Sequence, residues 1–413
     1  MANELKGALV FGQSGGPTSV INASAYGIIK AALKAPEITK VYAAHYGIEG
    51  IINDDLMIMD EEPENELDFL PHTPAAAFGS CRYKLKDPFE DDSDCKKILE
   101  TFRKYNIRYF CYNGGNDSMD TCNKISKYFQ RVGYECRVIG VPKTIDNDIY
   151  GTDHCPGYGS AAKFIATTVM EVARDTMVYK KGVVTIIECM GRHAGWLTAA
   201  ALLANQEEPC CDLIYLPERN FVMEDFLKDV EECYRKKGDC IVAVSEGIHY
   251  EDGTFVSEAK TSATDGFGHA QLGGLAALLA HTVGEKLGVK TRGIELSLLQ
   301  RCGAHLASQT DIDEAILAGR VAVESMLAGE TDKMVGFTCD RQGDKYVCTP
   351  ELFELSDVAN FEKKMPQSWI NEKGNGVFYD FVNYAKPLIQ GEGYPTMSNG
   401  VPRFARLKRI RAK

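Results

Sequence analysis

The chain has 413 residues, enough for two domains, and its composition is that of a globular protein, with 45% hydrophobic and 25% charged residues. Its formal net charge of -12 excludes a general electrostatic attraction to nucleic acid or to an anionic membrane. The 14 cysteines form no C-x-x-C pair, a distribution typical of reduced thiols in a cytosolic enzyme. No signal peptide or membrane-spanning segment is predicted, and we expect a cytoplasmic protein.

Strand and helix patterns alternate along most of the chain. Largely apolar runs that end in glycine or polar residues predict buried strands at Ala8–Phe11, Ile107–Tyr112, Arg137–Val141, Val183–Ile187 and Cys240–Val244. Helical periodicity fills the intervals, for example over Val20–Leu33, Asp117–Val132 and Gly159–Tyr179. This alternation predicts an α/β fold of βαβ units with mainly parallel sheets. Because ligands bind beyond the carboxyl ends of parallel strands, we expect the chemistry in the segments that follow these runs.

The first predicted strand leads into a glycine-rich turn, Gly12–Thr18, which opens the first predicted helix. Backbone N–H groups at the start of a helix attract anions, and glycines let phosphate oxygens approach the backbone. The turn is not a P-loop, because no Gly-Lys-[Ser/Thr] sequence follows it. Two interpretations remain open, a phosphate cradle and a plain strand–helix turn.

The segment Asn113–Ser118 follows the second predicted strand. Its two glycines would let a ligand approach, and Asn116 and Asp117 offer the hard oxygen atoms that Mg²⁺ prefers. The alternative is a structural helix start in which one of these residues is the N-cap.

The segment Pro142–Asp148 is the most informative stretch, because it places two carboxylates, a lysine and a threonine just after a buried strand. Asp146 and Asp148 are candidates for a general base and for a neighbour that orients it or binds metal. Lys143 can neutralise phosphate. The alternative interpretation is a polar surface turn.

Three arginines stand in glycine-containing loops, namely Arg82, Arg192 and Arg301. A guanidinium group matches the geometry of phosphate oxygens, so these arginines are candidate phosphate clamps rather than solvated surface residues. The segment Gly157–Ala162 fits a loose dinucleotide-binding pattern, but it follows a polar loop and is interpreted as a helix start.

Taken in order, these segments resemble the 6-phosphofructokinase family over roughly residues 5–310. The family's Thr-Ile-Asp-Asn-Asp signature is intact at Thr144–Asp148, and its other elements match Gly12–Gly16, Gly79–Arg82, Gly114–Ser118, Met190–Arg192, Glu246 and Gln300-Arg301. The resemblance implies two Rossmann-like domains with the active site in the cleft between them. Residues 1–155 would bind the donor and residues 156–330 the sugar phosphate, and residues 331–413 would pack on or cross back to the first domain.

Two positions that distinguish members of this family by their donor point to pyrophosphate. ATP-dependent bacterial members have glycine where this chain has Asp117 and Lys143. These side chains would intrude where the α-phosphate and nucleoside of ATP lie, whereas the ammonium of Lys143 can hold the terminal phosphate of pyrophosphate. Asn116 replaces the family's usual aspartate, so the implied Mg²⁺ ligands are Asn116 and Asp117.

The resemblance implies reversible phosphoryl transfer from pyrophosphate to the 1-hydroxyl of fructose 6-phosphate, with Mg²⁺ as cofactor, in glycolysis and gluconeogenesis. Asp146 is the implied base, and the other implied catalytic residues are Lys143, Asp117, Arg82 and Thr144. The implied substrate-binding residues are Gly15, Gly16, Thr144, Asp148, Met190, Gly191, Arg192, Glu246, Arg292 and Arg301. Arg292 fits an arginine that reaches a neighbour's sugar phosphate in bacterial tetramers, and a homodimer or homotetramer is expected. An ATP-dependent member and a non-catalytic regulatory subunit remain alternatives.

Overall fold

The structure, a computed structural model, describes residues 5–257, 272–343, 345–359 and 361–413. The chain divides into two compact units. The first unit takes the chain up to Gly157, from Ala304 to Glu362 and from Gly391 onwards, and the second contains Tyr158–Gly303 and Lys363–Gln390. Among the described helices, none is both long and apolar enough to cross a lipid bilayer.

The described strands, in chain order, are β1 (Gly7–Gln13), β2 (Ile38–Ala44), β3 (Leu56–Ile58), β4 (Ile107–Gly114), β5 (Arg137–Pro142), β6 (Val184–Cys189), β7 (Leu213–Tyr215), β8 (Cys240–Ser245), β9 (Thr291–Glu295), β10 (Lys333–Gln342), β11 (Lys345–Glu354), β12 (Met397–Ser398) and β13 (Val401–Pro402). The described α-helices are α1 (Ile21–Ala32), α2 (Ile48–Ile52), α3 (Glu64–Leu67), α4 (Ser93–Lys104), α5 (Asn116–Val132), α6 (Tyr158–Thr176), α7 (Trp196–Ala199), α8 (Met223–Lys237), α9 (Leu275–Leu287), α10 (Leu299–Cys302), α11 (Gln309–Leu327), α12 (Leu355–Val358) and α13 (Asp380–Ala385).

The first unit is built on a seven-stranded sheet with the order β11-β10-β5-β4-β1-β2-β3. Strands β10, β5, β4, β1 and β2 are parallel, and the edge strands β11 and β3 are antiparallel to their neighbours. Every residue of β1 is buried, as in a central strand covered on both faces. Gln13 lies opposite Asn113, and Gly114 lies opposite Pro142, so the carboxyl ends of β1, β4 and β5 meet at one edge.

Two glycines allow α1 and α11 to pack closely within the first unit. A Cβ atom on Gly27 of α1 would lie 2.2 Å from the carbonyl oxygen of Ile316, and one on Gly319 of α11 would lie 2.1 Å from the carbonyl oxygen of Ser24. Neither position has room for a side chain. Because α11 belongs with α1, the chain returns to the first unit at Ala304, earlier than the boundary at residue 331 expected from the sequence.

The second unit contains a four-stranded parallel sheet with the order β7-β8-β6-β9. Strands β6 and β8 are fully buried, whereas β9 is a half-exposed edge strand. Cys189 lies opposite Ser245, so the loops that follow β6 and β8 start side by side. The α/β fold class with mainly parallel sheets that the sequence predicts is confirmed.

The segment Lys363–Gln390 belongs to the second unit, whereas residues 331–413 as a whole were expected to pack on or cross back to the first domain. Its aromatic residues surround Trp196, whose ring centroid lies 6.1 Å from that of Trp369 and 5.2 Å from that of Tyr384. Trp196 Nε1 also donates a hydrogen bond of 2.9 Å to the carbonyl oxygen of Lys363. The helices described in this segment are only three to six residues long. Helices this short produce no periodic sequence pattern from which the segment could be assigned to a unit.

Candidate active site

Three loops of the first unit meet at the carboxyl edge of its sheet, and they follow β1, β4 and β5. Backbone hydrogen bonds extend the strand pairing into these loops. The N–H of Ser14 donates to the carbonyl oxygen of Asn113 at 2.9 Å, and the N–H of Lys143 donates to that of Gly114 at 3.0 Å. The three segments that the sequence analysis singled out are therefore neighbours in space.

The side chain of Lys143 lies over the glycine-rich turn. Its ammonium group donates a hydrogen bond of 2.7 Å to the carbonyl oxygen of Gly16. A Cβ atom on Gly15, which has a φ of +76°, would lie 3.3 Å from the same nitrogen. Because Lys143 is only 3% exposed, the structure holds a buried positive charge at the turn predicted to bind phosphate.

The backbone of Gly15 is bound to a neighbouring loop. Its N–H donates to the carbonyl oxygen of Cys81 at 2.9 Å, and Ser80 Oγ donates to the carbonyl oxygen of Gly15 at 2.7 Å. In this structure the Gly15 N–H already has an acceptor within the chain and positions the turn, and a contact of Gly15 with phosphate stays a prediction. The same contacts place Arg82, which is exposed and follows Cys81, beside the turn.

Asn116, the first residue of α5, joins the loops that follow β4 and β5. Its Nδ2 donates a hydrogen bond of 3.2 Å to Asp148 Oδ2. Within the described part of the chain, the buried Oδ1 of Asn116 accepts no hydrogen bond. A buried amide oxygen without a donor, beside a carboxylate, suits a hard cation such as Mg²⁺. Asn116 therefore fits the metal-ligand role predicted for it, and Asp117 follows it in the first turn of α5.

The loop after β5 is fixed by contacts within and beyond the Thr-Ile-Asp-Asn-Asp signature. Thr144 Oγ1 accepts a hydrogen bond of 3.1 Å from the N–H of Asp146. Asn147 is fully buried with a φ of +56°, and its Oδ1 accepts a hydrogen bond of 2.9 Å from the N–H of Cys155. The anchored Asn147 holds the half-buried carboxylates Asp146 and Asp148 on either side of it. No role was predicted for Asn147 from the sequence, although asparagine tolerates this left-handed conformation better than most residues.

A second group of predicted residues lies after β6 and β8 in the second unit. The N–H of Gly191 donates to Glu246 Oε1 at 3.3 Å, and the N–H of Met190 donates to Gln300 Oε1 at 3.2 Å. Gln300 is 2% exposed and precedes Arg301 in α10. The structure thus brings together the backbone segments that carry Met190, Gly191, Arg192, Glu246 and Arg301.

Close backbone approach shapes the same loops. Gly191 has a φ of +128°, which glycine adopts readily and other residues rarely do. A Cβ atom on Gly247 would lie 1.9 Å from the carbonyl oxygen of Arg192. The Gly247 contact fixes the backbone of Arg192 against the loop that carries Glu246.

Arg292 lies apart from these loops within the chain. It stands on the edge strand β9 opposite Thr185 of β6 and forms an ion pair with Asp175. From Thr185, β6 continues to Cys189, a span of about 13 Å at ~3.3 Å per residue, before the loop begins. The structure does not join Arg292 to the other sugar-phosphate ligands predicted in its own chain, and its role at a neighbour's site stays a prediction.

Comparison with known proteins identifies the family. The family model described as Phosphofructokinase matches residues 8–326. The chain belongs to the phosphofructokinase family. The resemblance inferred from the order of the sequence motifs is thereby confirmed.

This phosphofructokinase has full-length relatives. It is 45% identical to the pyrophosphate–fructose 6-phosphate 1-phosphotransferase of Halomonas elongata, over 98% of this chain and 96% of the relative. It is 42% identical to the protein of the same name from Methylococcus capsulatus, over 96% and 95%. The crystal structure of the pyrophosphate-dependent phosphofructokinase from Marinobacter aquaeolei matches with a TM-score of 0.89 at 42% identity, covering 98% of this chain and 97% of that one.

Two carboxylates of this phosphofructokinase, buried Glu188 and half-buried Glu218, were not singled out from the sequence. Glu188 accepts a hydrogen bond of 2.8 Å from the N–H of Ala276 at the start of α9, and burial raises its pKa. Glu218 accepts hydrogen bonds from the N–H groups of Gly195 at 2.8 Å and Met365 at 3.1 Å, and burial raises its pKa also. Both carboxylates hold backbone N–H groups in place through hydrogen bonds. The sequence gives no local sign of this role, apart from the position of Glu188 at the end of a strand.

Proposed function

We propose that this phosphofructokinase transfers a phosphoryl group from pyrophosphate to the 1-hydroxyl of fructose 6-phosphate, giving fructose 1,6-bisphosphate and phosphate. The names of its full-length relatives support this reaction. The reaction runs in both directions, because a phosphoanhydride and a phosphate ester are close in energy. We place it in glycolysis and gluconeogenesis.

The position of Lys143 is the observation that favours pyrophosphate over a nucleotide as the phosphoryl donor. Its ammonium group lies at the carbonyl oxygen of Gly16, and it would be 3.3 Å from a Cβ atom placed on Gly15. A lysine at this place fills volume that a nucleotide would need and supplies a cation for a second phosphate group. Asp117, in the first turn of α5, adds a negative charge that repels the α-phosphate of a nucleotide.

In the proposed reaction, the 1-hydroxyl oxygen attacks the terminal phosphorus of pyrophosphate, and the bond to the leaving phosphate breaks. Asp146 accepts the hydroxyl proton as the new bond forms. The transition state is loose, with negative charge spread over the phosphoryl oxygens, so positioning and electrostatic stabilisation supply most of the catalysis. Lys143 and Arg82 neutralise the phosphates, and Thr144 and the backbone of Gly16 orient them.

The residues that meet at Asn116 fit a magnesium ion, with Asn116 and Asp117 as its ligands and Asp148 nearby. When bound, the ion would neutralise part of the charge of pyrophosphate. Asn116 supplies its buried Oδ1 for this purpose and uses its Nδ2 to orient Asp148.

The second unit holds the sugar phosphate in this proposal. Arg192 and Arg301 neutralise the 6-phosphate, and Glu246 accepts a hydrogen bond from a sugar hydroxyl. Met190 and Gly191 position these groups through the hydrogen bonds to Gln300 and Glu246. Arg292 acts on the sugar phosphate of a second copy, which requires a homodimer or homotetramer. We assign the enzyme to the cytoplasm, with no nucleic-acid or membrane partner.

Initial rates with pyrophosphate and with ATP, at saturating fructose 6-phosphate and Mg²⁺, test the proposal. The unmodified protein should use pyrophosphate much faster than ATP. The Asp146→Asn variant, prepared in parallel, should lose the pyrophosphate-dependent rate, which excludes a contaminating enzyme. Equal rates with both donors would favour the ATP-dependent alternative, and no rate with either donor would favour the non-catalytic subunit.

A further inference from the structure

Cys339 of β10 and Cys348 of β11 lie directly opposite each other in an antiparallel strand pair. Directly opposed residues in such pairs have Cα atoms about 4.5 or 5.5 Å apart, and both spacings fall within the range of about 4.4–6.8 Å that a disulfide spans. Both residues are half-buried free thiols. The strand register therefore places the two cysteines at a backbone spacing that a disulfide can bridge.

A buried histidine lies beside this thiol pair. His154 is 1% exposed, and its Nδ1 lies 3.7 Å from Cys339 Sγ. The ring stands between two carboxylates, with Nδ1 3.0 Å from Asp153 and Nε2 2.7 Å from Glu314. Burial by itself lowers the pKa of His154, but the charge of Glu314 and the hydrogen bond with Asp153 raise it well above its ordinary value. A positive charge thus persists next to Cys339.

Cys339 differs from the deeply buried cysteines of the chain. Interaction with Cys348 and the contact to His154 lower the pKa of the Cys339 thiol, whereas the pKa of Cys348 is raised. Burial instead raises the pKa of Cys111, Cys122 and Cys189. Because the thiolate is the nucleophile in thiol–disulfide exchange, Cys339 is suited to attack and Cys348 is placed to resolve.

We propose that Cys339 and Cys348 are a redox-active pair that low-molecular-weight disulfides, such as oxidised glutathione, close into a reversible disulfide. The Cys339 thiolate attacks one sulfur of the external disulfide and releases the other half as a thiolate, which takes up a proton. Cys348 then loses its proton, attacks the Cys339 sulfur of the mixed disulfide, and releases the second half as a thiol. The cysteine pair loses two electrons, and the external disulfide is reduced to two thiols.

Mass spectrometry of the full chain tests this proposal. The protein is equilibrated in glutathione buffers of increasing oxidised fraction, its free thiols are blocked with N-ethylmaleimide, and it is digested with trypsin. Cleavage after Arg341 and Lys345 places the two cysteines on separate peptides, so the disulfide appears as one linked pair. We expect this pair to form in protein that stays folded by circular dichroism and to disappear on reduction. Cys233 and Cys240, whose sulfurs lie within 4.8 Å of each other beside Asp212 rather than beside a histidine, provide an internal comparison.

Two variants identify the attacking thiol. Cys348→Ser should retain glutathione on Cys339 as a stable mixed disulfide, whereas Cys339→Ser should leave Cys348 unmodified under the same conditions. Absence of the linked peptide in folded protein, or equally early linkage of the Cys233 pair, would overturn the proposal. So would one equivalent of zinc per chain held by Cys339 and Cys348, because the same sulfurs would then be metal ligands.

Discussion

Asn116 donates its amide hydrogen to the carboxylate of Asp148 at 3.2 Å, and this contact directs the buried amide oxygen of Asn116 away from that carboxylate. A carboxylate in place of the amide would set two negative charges against each other. The neutral side chain avoids this repulsion but offers a cation one negative charge fewer. The contact therefore links the departure from the family's usual aspartate to the affinity for metal.

Asn116→Asp should make the protein more dependent on Mg²⁺ for stability. The added charge opposes Asp148 unless a cation neutralises both, so Mg²⁺ should raise the Tm of the variant more than that of the wild type, by about 2–4 °C per kcal/mol of extra stabilisation. Thermal unfolding in MgCl₂ and in NaCl of equal ionic strength measures the effect. Asn383→Asp, at an exposed position of α13, is the matched control. Equal Mg²⁺ shifts in all three proteins would remove position 116 from the metal site.

Asp146→Asn should lower turnover by about 10²–10⁴-fold, the usual contribution of a general base. The Michaelis constant for fructose 6-phosphate should change little, because an amide keeps the shape of the side chain. Steady-state kinetics with both substrates varied give the two parameters. Asp252→Asn, which alters an exposed carboxylate, should leave both unchanged. Near-wild-type turnover in Asp146→Asn would show that another group accepts the proton.

Arg301→Ala should raise the Michaelis constant for fructose 6-phosphate far more than that for pyrophosphate. A guanidinium that binds only the sugar's 6-phosphate contributes equally to the ground state and the transition state. Arg320→Ala removes an exposed arginine on α11 and serves as the control. If the variant weakens both substrates equally, Arg301 does not belong to the sugar-phosphate site alone.

Lys143→Gly should damage the pyrophosphate reaction without creating much ATP activity, because Asp117 still obstructs the nucleotide. The double change with Asp117→Gly should give measurable ATP use. The two effects should be non-additive, since both residues border one phosphate position. Initial rates with each donor complete a double-mutant cycle. A double variant with no ATP-dependent rate at saturating Mg²⁺, while still folded and bound to fructose 6-phosphate, would contradict this account of donor choice.

His154→Gln should lower the free energy of unfolding at pH 7 by roughly 3–5 kcal/mol, since it removes one partner of a buried ion pair with Glu314. The pKa of His154 is raised, so its charge stabilises the fold fully below the ordinary histidine pKa of about 6.5, and this stabilisation is lost as the pH rises through the raised value. The difference between wild type and variant should therefore shrink in alkaline solution. Urea unfolding at pH 7 and pH 10, with the exposed His281→Gln as control, measures it. A difference that grows with pH would mean that His154 is neutral in the folded chain.

Local patterns predict the strands and the loops after them because both depend on residues close in sequence. The run Ala8–Phe11 lies within β1, and the turn that follows it meets the loops after β4 and β5. This convergence follows from parallel pairing, which places carboxyl ends at one edge. The sequence therefore predicts which loops meet at this edge, while the roles of their residues stay predictions.

Contacts between distant segments account for what the sequence does not predict. The bond from Gly15 to Cys81 uses an N–H that the sequence leaves available for phosphate. The ion pair of Arg292 with Asp175 holds a predicted ligand at the amino half of β9. The close packing of Gly319 against Ser24 places α11 in the first unit, to which the chain returns at Ala304. None of these three contacts produces a periodic pattern in the local sequence.

The packing of α1 on α11 also determines when the first unit completes its core during synthesis. Ile28 and Ile29 of α1 share a buried cluster with Val323 and Met326 of α11, which the ribosome produces only after residues 158–303. At a synthesis rate of about 5–20 residues per second, on the order of tens of seconds pass between the synthesis of α1 and that of α11. During this time the apolar face of α1 lacks the helix against which it packs. The nascent chain must keep that face from aggregating in the meantime. The first unit thus cannot complete this part of its core until residues 158–303 of the second unit have been synthesised.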